Sequence, residues 1–330
     1  MSETPLIAVE GIDVSFASPA GEAFVLKKVS LEVNQGETLG IVGESGSGKS
    51  MTALTILQLI PTPPGNIAAG RVMFNGVDLL DPAAADIRDI RGNQIAMVFQ
   101  EPMTSLNPVL RIGDQIVEGL RRHKDVSQTE ARNKAIALLT QVGIPSPERR
   151  VDAYPHELSG GMRQRVMIAM AIACDPSLLI ADEPTTALDV TVQAQIFDLL
   201  NEIQQSRGMG MILITHDMGV ISEMTDRVAV MYGGRVVETG LTTDVLNAPL
   251  HPYTVGLMAC MPSLDSALAA DADLPEIEGV VRSVWDQLPG CPFADRCPKA
   301  QDQCFDQMPA TQSVNGNHTV ACWYPEGGAT

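Results

Sequence analysis

Thr38-Leu-Gly-Ile-Val42 runs straight into Gly43-Glu-Ser-Gly-Ser-Gly-Lys49-Ser50 and Met51, and this stretch decides the fold. Five largely apolar residues entering a glycine-rich turn predict a short buried strand, and a helix is expected from Lys49 to about Ile60. Pro61, Pro63, Pro64 and Gly65 should then stop it. The turn fits G-x-x-x-x-G-K-[ST] between strand and helix. Its glycines let backbone N–H groups turn inward around phosphates, Lys49 neutralises β/γ oxygens, and Ser50 ligates Mg²⁺. Gly43, Ser45, Gly46, Ser47, Gly48, Lys49, Ser50 and Met51 are therefore the expected nucleotide contacts.

Downstream, Leu178-Leu-Ile-Ala-Asp182-Glu183-Pro184 is an apolar strand ending in two adjacent carboxylates. Acids at the C-terminal edge of a buried strand stand where nucleotides bind in open α/β sheets. Asp182 suits Mg²⁺ coordination through water, and Glu183 suits polarising the attacking water. Between the two motifs, Leu158-Ser159-Gly160-Gly161-Met162 precedes a helix. A serine hydroxyl and free N–H groups at a helix N-terminus make a second anion site.

Composition removes other classes. With 330 residues the chain holds one large domain plus an appendage, or two modest domains, and a 45% apolar share fills a sizeable core. A net charge of −18, from 40 acids against 22 Lys and Arg, repels polyphosphate backbones, so no nucleic-acid partner is expected. Met1 to Glu10 carries no basic n-region, and no apolar run nears the roughly 18 to 20 residues that span a bilayer. A cytosolic protein is expected, with any membrane role exercised through a partner protein.

Along the chain, strands alternate with helices, predicting an α/β fold. Leu6 to Phe16 and Val29 to Val33 read as an antiparallel sheet, and Gln94 to Phe99 as another strand. Arg111 to Cys174 is mostly helical, with a capping box Ser127-Gln-Thr-Glu130 opening a helix that ends near Gly143. Leu178 to Ala181 and Met211 to Thr215 are of parallel-sheet type. Beyond Gly240 the alternation fades, and Ser263 to Gly290 looks like a linker.

Together these motifs resemble the ABC ATPase family over roughly residues 6 to 255. The signature loop matches Leu158 to Gly161, with Met162 where many members have glutamine. Gln100 after Ala96-Met-Val-Phe99 looks like the Q-loop glutamine, Ala187-Leu188-Asp189 like the D-loop, and His216 after Ile212-Leu-Ile-Thr215 like the switch histidine. Phe16 resembles the aromatic that stacks on adenine, though tyrosine is commoner there. The resemblance implies a P-loop NTPase cassette: a RecA-like core with an antiparallel β subdomain and a helical insert at about 101–175, the ATPase domain covering 1–255. It implies two cassettes closed head to tail, ATP on Gly43 to Ser50 of one being completed by Ser159, Gly160 and Gly161 of the other, with Asp189 a further nucleotide-binding residue. Lys49, Gln100, Glu183 and His216 are the implied catalytic set, with Ser50, Gln100 and Asp182 around Mg²⁺.

Phe99-Gln-Glu-Pro-Met-Thr-Ser-Leu-Asn-Pro108, His251-Pro-Tyr-Thr254 and the Cys-bearing C-terminus narrow the resemblance to the ATPases of oligopeptide and dipeptide importers, a branch that also takes up nickel and glutathione. That implies a second ATPase subunit in a heterodimer, two transmembrane permease subunits meeting Pro102 to Pro108, an extracytoplasmic solute-binding protein, and a place on the cytoplasmic face of the membrane. An iron–sulfur assembly ATPase would lack this C-terminal region, and a DNA-repair ATPase would carry coiled-coil inserts. A small-molecule P-loop kinase leaves Leu158 to Gly161 without a role.

Residues 256–330 are expected to form a small Cys-rich extension. Cys291, Cys297, Cys304 and Cys322 crowd into a proline-rich stretch with little core of its own, so a metal is expected to supply folding energy. Intervals of five, six and seventeen residues match neither zinc ribbons nor the common ferredoxin runs, leaving zinc and [4Fe–4S] both open. The resemblance favours a [4Fe–4S] cluster over zinc. His318 is nearby, but four thiols suffice, and it is expected as a surface loop residue.

Overall fold

The computed structural model describes residues 4–19, 21–101, 105–186, 188–260, 276–283, 285–286 and 289–327. In chain order its strands are β1 (Ile7–Ser18), β2 (Gly21–Val33), β3 (Thr38–Val42), β4 (Gly65–Phe74), β5 (Val77–Asp78), β6 (Ile95–Val98), β7 (Leu178–Asp182) and β8 (Gly210–Ile214). They continue with β9 (Arg227–Tyr232), β10 (Arg235–Leu241), β11 (Gln312–Asn315) and β12 (His318–Val320). The chain divides into two compact units, one of Met1–Ile7, Val33–Thr38 and Phe74–Ile214, the other of Ala8–Glu32, Leu39–Met73 and Thr215–Thr330.

In the first unit β7 lies between β6 and β8, all parallel, with Ala96 opposite Leu179 and Asp182 opposite Ile214. Every residue of β7 and β8 is buried, which is why both read as continuous apolar runs rather than alternating ones. Helices 112–123, 128–141 and 160–171, in the stretch expected to be mostly helical, pack on one another in this unit. The capping box is present: the Ser127 hydroxyl accepts from Glu130 N–H at 3.3 Å, and the Glu130 carboxylate accepts from Ser127 N–H at 2.8 Å.

In the second unit β3 pairs in parallel with β9, and β9, β10, β12 and β11 continue antiparallel. Tyr232 and Arg235 pair across Gly233-Gly234, whose φ angles of 57° and 79° make the two-residue hairpin turn. The C-terminal hairpin is docked on this sheet through Glu238 opposite Val320. In a separate sheet β1 runs between β2 and β4. The helix after β3 spans Lys49–Ile56, four residues shorter than expected. Gln58 takes φ of 50° and Leu59 N–H reaches back to the Leu54 carbonyl at 2.8 Å, closing the helix before the prolines are reached.

The core of this second unit gathers Tyr232, Tyr253 and Phe293 with Val42, Val228 and Val230, and Cys291 and Cys297 pack against it. Among the described residues no helix is long and apolar enough to cross a membrane. The linker expected at Ser263 to Gly290 lies largely outside the described residues, as do Pro102, Met103, Thr104 and Ala187.

Candidate functional site

The phosphate loop follows β3 in the second unit. Gly43 has φ of 151°, and a Cβ there would run into the Met231 carbonyl oxygen; Gly48, at φ of 106°, caps the helix from the left-handed region. Glycine is therefore required by close approach at one end of the loop and by dihedral at the other. Lys49 is buried, and its Nζ donates to the carbonyls of Gly43 at 2.7 Å and Glu44 at 3.0 Å, so the ammonium is curled onto its own loop. The Ser47 hydroxyl is buried without a hydrogen-bond partner among the described residues. Ser45 and Gly46 are exposed, and Ser50 and Met51 are half-buried on the first helical turn. A buried lysine and an unsatisfied hydroxyl in a glycine-rich loop suit a polyphosphate, and the Ser50 hydroxyl suits Mg²⁺.

His216, exposed after Thr215, belongs to the same unit, and the helix following it is capped by Asp217, which accepts from Gly219 N–H at 2.8 Å. Phe16 is half-buried on β1.

The first unit carries the other expected residues. Asp182 ends β7 and is buried. Glu183 sits one residue beyond with φ of 42°, a strained value for a residue with a Cβ, its N–H held by the Ile214 carbonyl at 2.9 Å. Its carboxylate accepts from Gln100 Nε2 at 3.1 Å and from the Thr186 hydroxyl at 3.1 Å. The two functional groups expected from separate motifs are thus in direct contact, and Thr186 joins them unforeseen. Ser159 caps helix 160–171 by accepting from Met162 N–H at 3.3 Å, leaving itself and Gly160 exposed. Asp189 likewise caps helix 190–207 by accepting from Val192 N–H at 3.0 Å. The two caps adjoin, because a Cβ on Gly161 would press into Val192 at 2.8 Å.

At the C-terminus Cys291, Cys297, Cys304 and Cys322 line one small cavity together with His251. Burial, aided by the neighbouring thiols, pushes Cys291 and Cys322 up to about 11, and burial raises Cys297. His251 is 1% exposed; its Nδ1 accepts from Tyr253 N–H at 3.0 Å, and its Nε2 has no partner among the described residues. Shared cavity, soft donors and an orphaned N–H suit a thiolate-held group, yet among the described residues no three His, Cys, Asp or Glu side chains are placed to hold a metal ion. His318 departs from expectation: it is buried, not a surface loop residue, and its Nε2 lies 2.8 Å from the Glu238 carboxylate. That carboxylate also accepts from Leu250 and His251 N–H groups at 2.8 Å each.

Comparison with known proteins decides the family. Residues 26–186 match the ABC transporter model, and residues 237–304 match the oligopeptide/dipeptide transporter C-terminal region. The chain is 46% identical over 318 residues to the dipeptide transport ATP-binding protein DppD of Bacillus subtilis, covering 96% of this chain and 94% of that one. It belongs to the ATP-binding subunits of the oligopeptide/dipeptide ABC transporters. The oligopeptide transport ATP-binding protein OppD of Bacillus subtilis is 47% identical, with 97% of this chain and 89% of that one covered. The probable peptide ABC transporter ATP-binding protein y4tR of Sinorhizobium fredii is 49% identical, with 96% and 94% covered. Among solved structures, the dimeric cassette MJ0796 bound to ADP and phosphate superposes with a TM-score of 0.63 at 28% identity, over 72% of this chain and 98% of that one. As a member of this family the chain is an ABC-type ATPase subunit.

Two contacts to the phosphate loop escaped sequence reasoning. Glu44 N–H donates to the Tyr253 hydroxyl at 2.7 Å, and the Glu44 carboxylate pairs with Arg296. His251-Pro-Tyr253 was visible only as a family mark, and Arg296 was hidden among the cysteines.

Proposed function

We propose that this chain hydrolyses ATP to power uptake of di- and oligopeptides, as a peripheral subunit on the cytoplasmic face of the membrane. The observation that carries the reading is the contact of Gln100 with Glu183 at the end of an apolar strand, in a chain whose glycine loop curls around Lys49. Residues 1–255 are taken as the cassette and 256–330 as its extension. Lys49 would hold β/γ oxygens, while Ser50, Gln100 and Asp182 would hold Mg²⁺, which neutralises charge developing on the transferred phosphoryl group. Glu183 would accept a proton from, or orient, the attacking water, and His216 would steady the γ-phosphate. Phe16 would stack on adenine. Ser159, Gly160, Gly161 and Asp189 would complete the site of a second cassette, so the working form is a pair, formed with a related but different chain. Two permease subunits and an extracytoplasmic solute-binding protein complete the importer.

The four cysteines would hold a [4Fe–4S] cluster or zinc, with a structural rather than an electron-transfer role. Purification of the complex from membranes tests the whole reading. A second ATPase chain and two membrane proteins should co-purify, and vesicles bearing the complex should accumulate peptide with ATP; accumulation of nickel or glutathione alone would replace the substrate class. Iron, sulfide and zinc analysis of anaerobically purified protein tests the extension, and absence of all three would remove the metal reading.

A further inference from the structure

The eight-residue phosphate loop contains one acid, Glu44, although the loop must accept a polyphosphate. Its carboxylate does not stand alone. Arg296 donates to it in a fork, Nη1 to one oxygen at 2.7 Å and Nη2 to the other at 3.1 Å. The guanidinium side chain is 6% exposed and donates further to the Tyr232 hydroxyl at 3.2 Å and to the carbonyls of Ile277 and Glu278 at 2.8 and 2.9 Å. Every one of those partners is an acceptor, so the cation is fully engaged and its fork is aimed rather than mobile. The backbone of Glu44 is gripped as well: its N–H donates to the Tyr253 hydroxyl, and its carbonyl accepts from Lys49 Nζ.

Arg296 also has a fixed origin. It ends the short turn Ala294–Arg296, between Cys291 and Cys297, and the neighbouring Phe293 is wedged against Tyr232 and Tyr253 at 5.2 and 5.4 Å between ring centroids. Pro292 packs over Gly233, next to the same strand end. The segment carrying two of the four thiols thus lies directly against the phosphate loop within one compact unit.

We propose that Arg296 is a positioning residue of the nucleotide site: by pairing with Glu44 it cancels the only carboxylate of the phosphate loop and ties the loop's geometry to the Cys-bearing extension. The proposal rests on the assignment of residues 43–50 as the nucleotide loop. Without Arg296, a carboxylate beside bound phosphates repels them at a distance where Coulomb energies are still appreciable, and a loss of nucleotide affinity of about tenfold is expected at low salt. The extension acquires a role in this way that needs no electron: whatever orders Cys291 and Cys297 orders the cation between them.

The test is a four-point cycle on the full-length chain, measuring the Kd of MgATP and of MgADP for wild type, Arg296→Gln, Glu44→Gln and the double variant, at low and high salt. Arg296→Gln should bind about tenfold more weakly, and high salt should shrink the defect. The double variant should return to within about twofold of wild type, because the unpaired carboxylate has gone. Thermal melting is followed in parallel; if Arg296→Gln does not fold, Arg296→Lys, which keeps the charge and loses the fork, takes its place with a smaller expected defect. Wild-type affinity in Arg296→Gln overturns the proposal, and so does a double variant as weak as Arg296→Gln, which would reduce Arg296 to a strut of the extension. Failure of the wild type to bind nucleotide would instead strike the loop assignment itself.

Discussion

Gln100 and Glu183 meet: the amide Nε2 of one lies 3.1 Å from a carboxylate oxygen of the other, across 83 residues of chain. A carboxylate held in this way by an amide and by the Thr186 hydroxyl is kept as an ordered acceptor at a strand end. Glu183→Gln keeps the shape and removes the basicity. ATP affinity should stay within about threefold of wild type while turnover of the assembled complex falls by about 10² or more. Undiminished turnover would remove Glu183 from the role of base.

Gln100→Ala deletes the amide and leaves the carboxylate paired to Thr186. The expected outcome is a fall of about tenfold in kcat with a smaller change in KM, read from steady-state hydrolysis by the complex. A change confined to KM would mean that Gln100 contributes only ground-state binding.

Ser159 and Gly160 are exposed at a helix N-terminus, where the Ser159 hydroxyl accepts from Met162 N–H. The purified chain alone should therefore hydrolyse ATP slowly and accelerate when the partner cassette is added. Ser159→Arg places a bulky side chain at that N-terminus, and should depress hydrolysis in the complex while leaving ATP affinity of the isolated chain unchanged. Full activity from a demonstrably monomeric preparation would contradict the paired site.

His251 is kept neutral by burial, which lowers it from 6.5 to about 3. Between these values the unfolded chain binds a proton that the folded chain refuses, so stability contributed by neutral His251 is present above pH 6.5 and is lost as pH falls toward 3. At pH 5 the loss is about 2 kcal/mol. Denaturant melts of wild type and His251→Asn at pH 7 and pH 5 measure it. The variant, whose amide also caps the following helix, should lose less stability on acidification than wild type; an equal loss would place the acid sensitivity elsewhere.

The legible parts of this fold were those whose signal is local. Gly43 to Ser50, the buried runs of β7 and β8, and the Ser127 capping box each follow from a few adjacent residues, and each stands where the sequence puts it. β4 escaped because half of Gly65–Phe74 is exposed and the strand is rich in small residues, so neither alternation nor an apolar run marks it. The β9–β10 hairpin did carry a signal, Gly233-Gly234 between apolar runs, that went unread. What no local pattern conveys is partnership across the chain. Glu238 with His318, Glu44 with Arg296 and Gln100 with Glu183 are separated by 80, 252 and 83 residues. The first of these turned an expected surface histidine into a buried one.

The most direct measurement is ATP-driven accumulation of a labelled dipeptide in proteoliposomes carrying the complete complex, made with either wild-type chain or Glu183→Gln. Wild type should accumulate dipeptide only when ATP and Mg²⁺ are on the side exposing this chain, and Glu183→Gln should bind ATP there and accumulate essentially none. Dipeptide uptake that is the same with both chains, or that proceeds without ATP, would contradict the account.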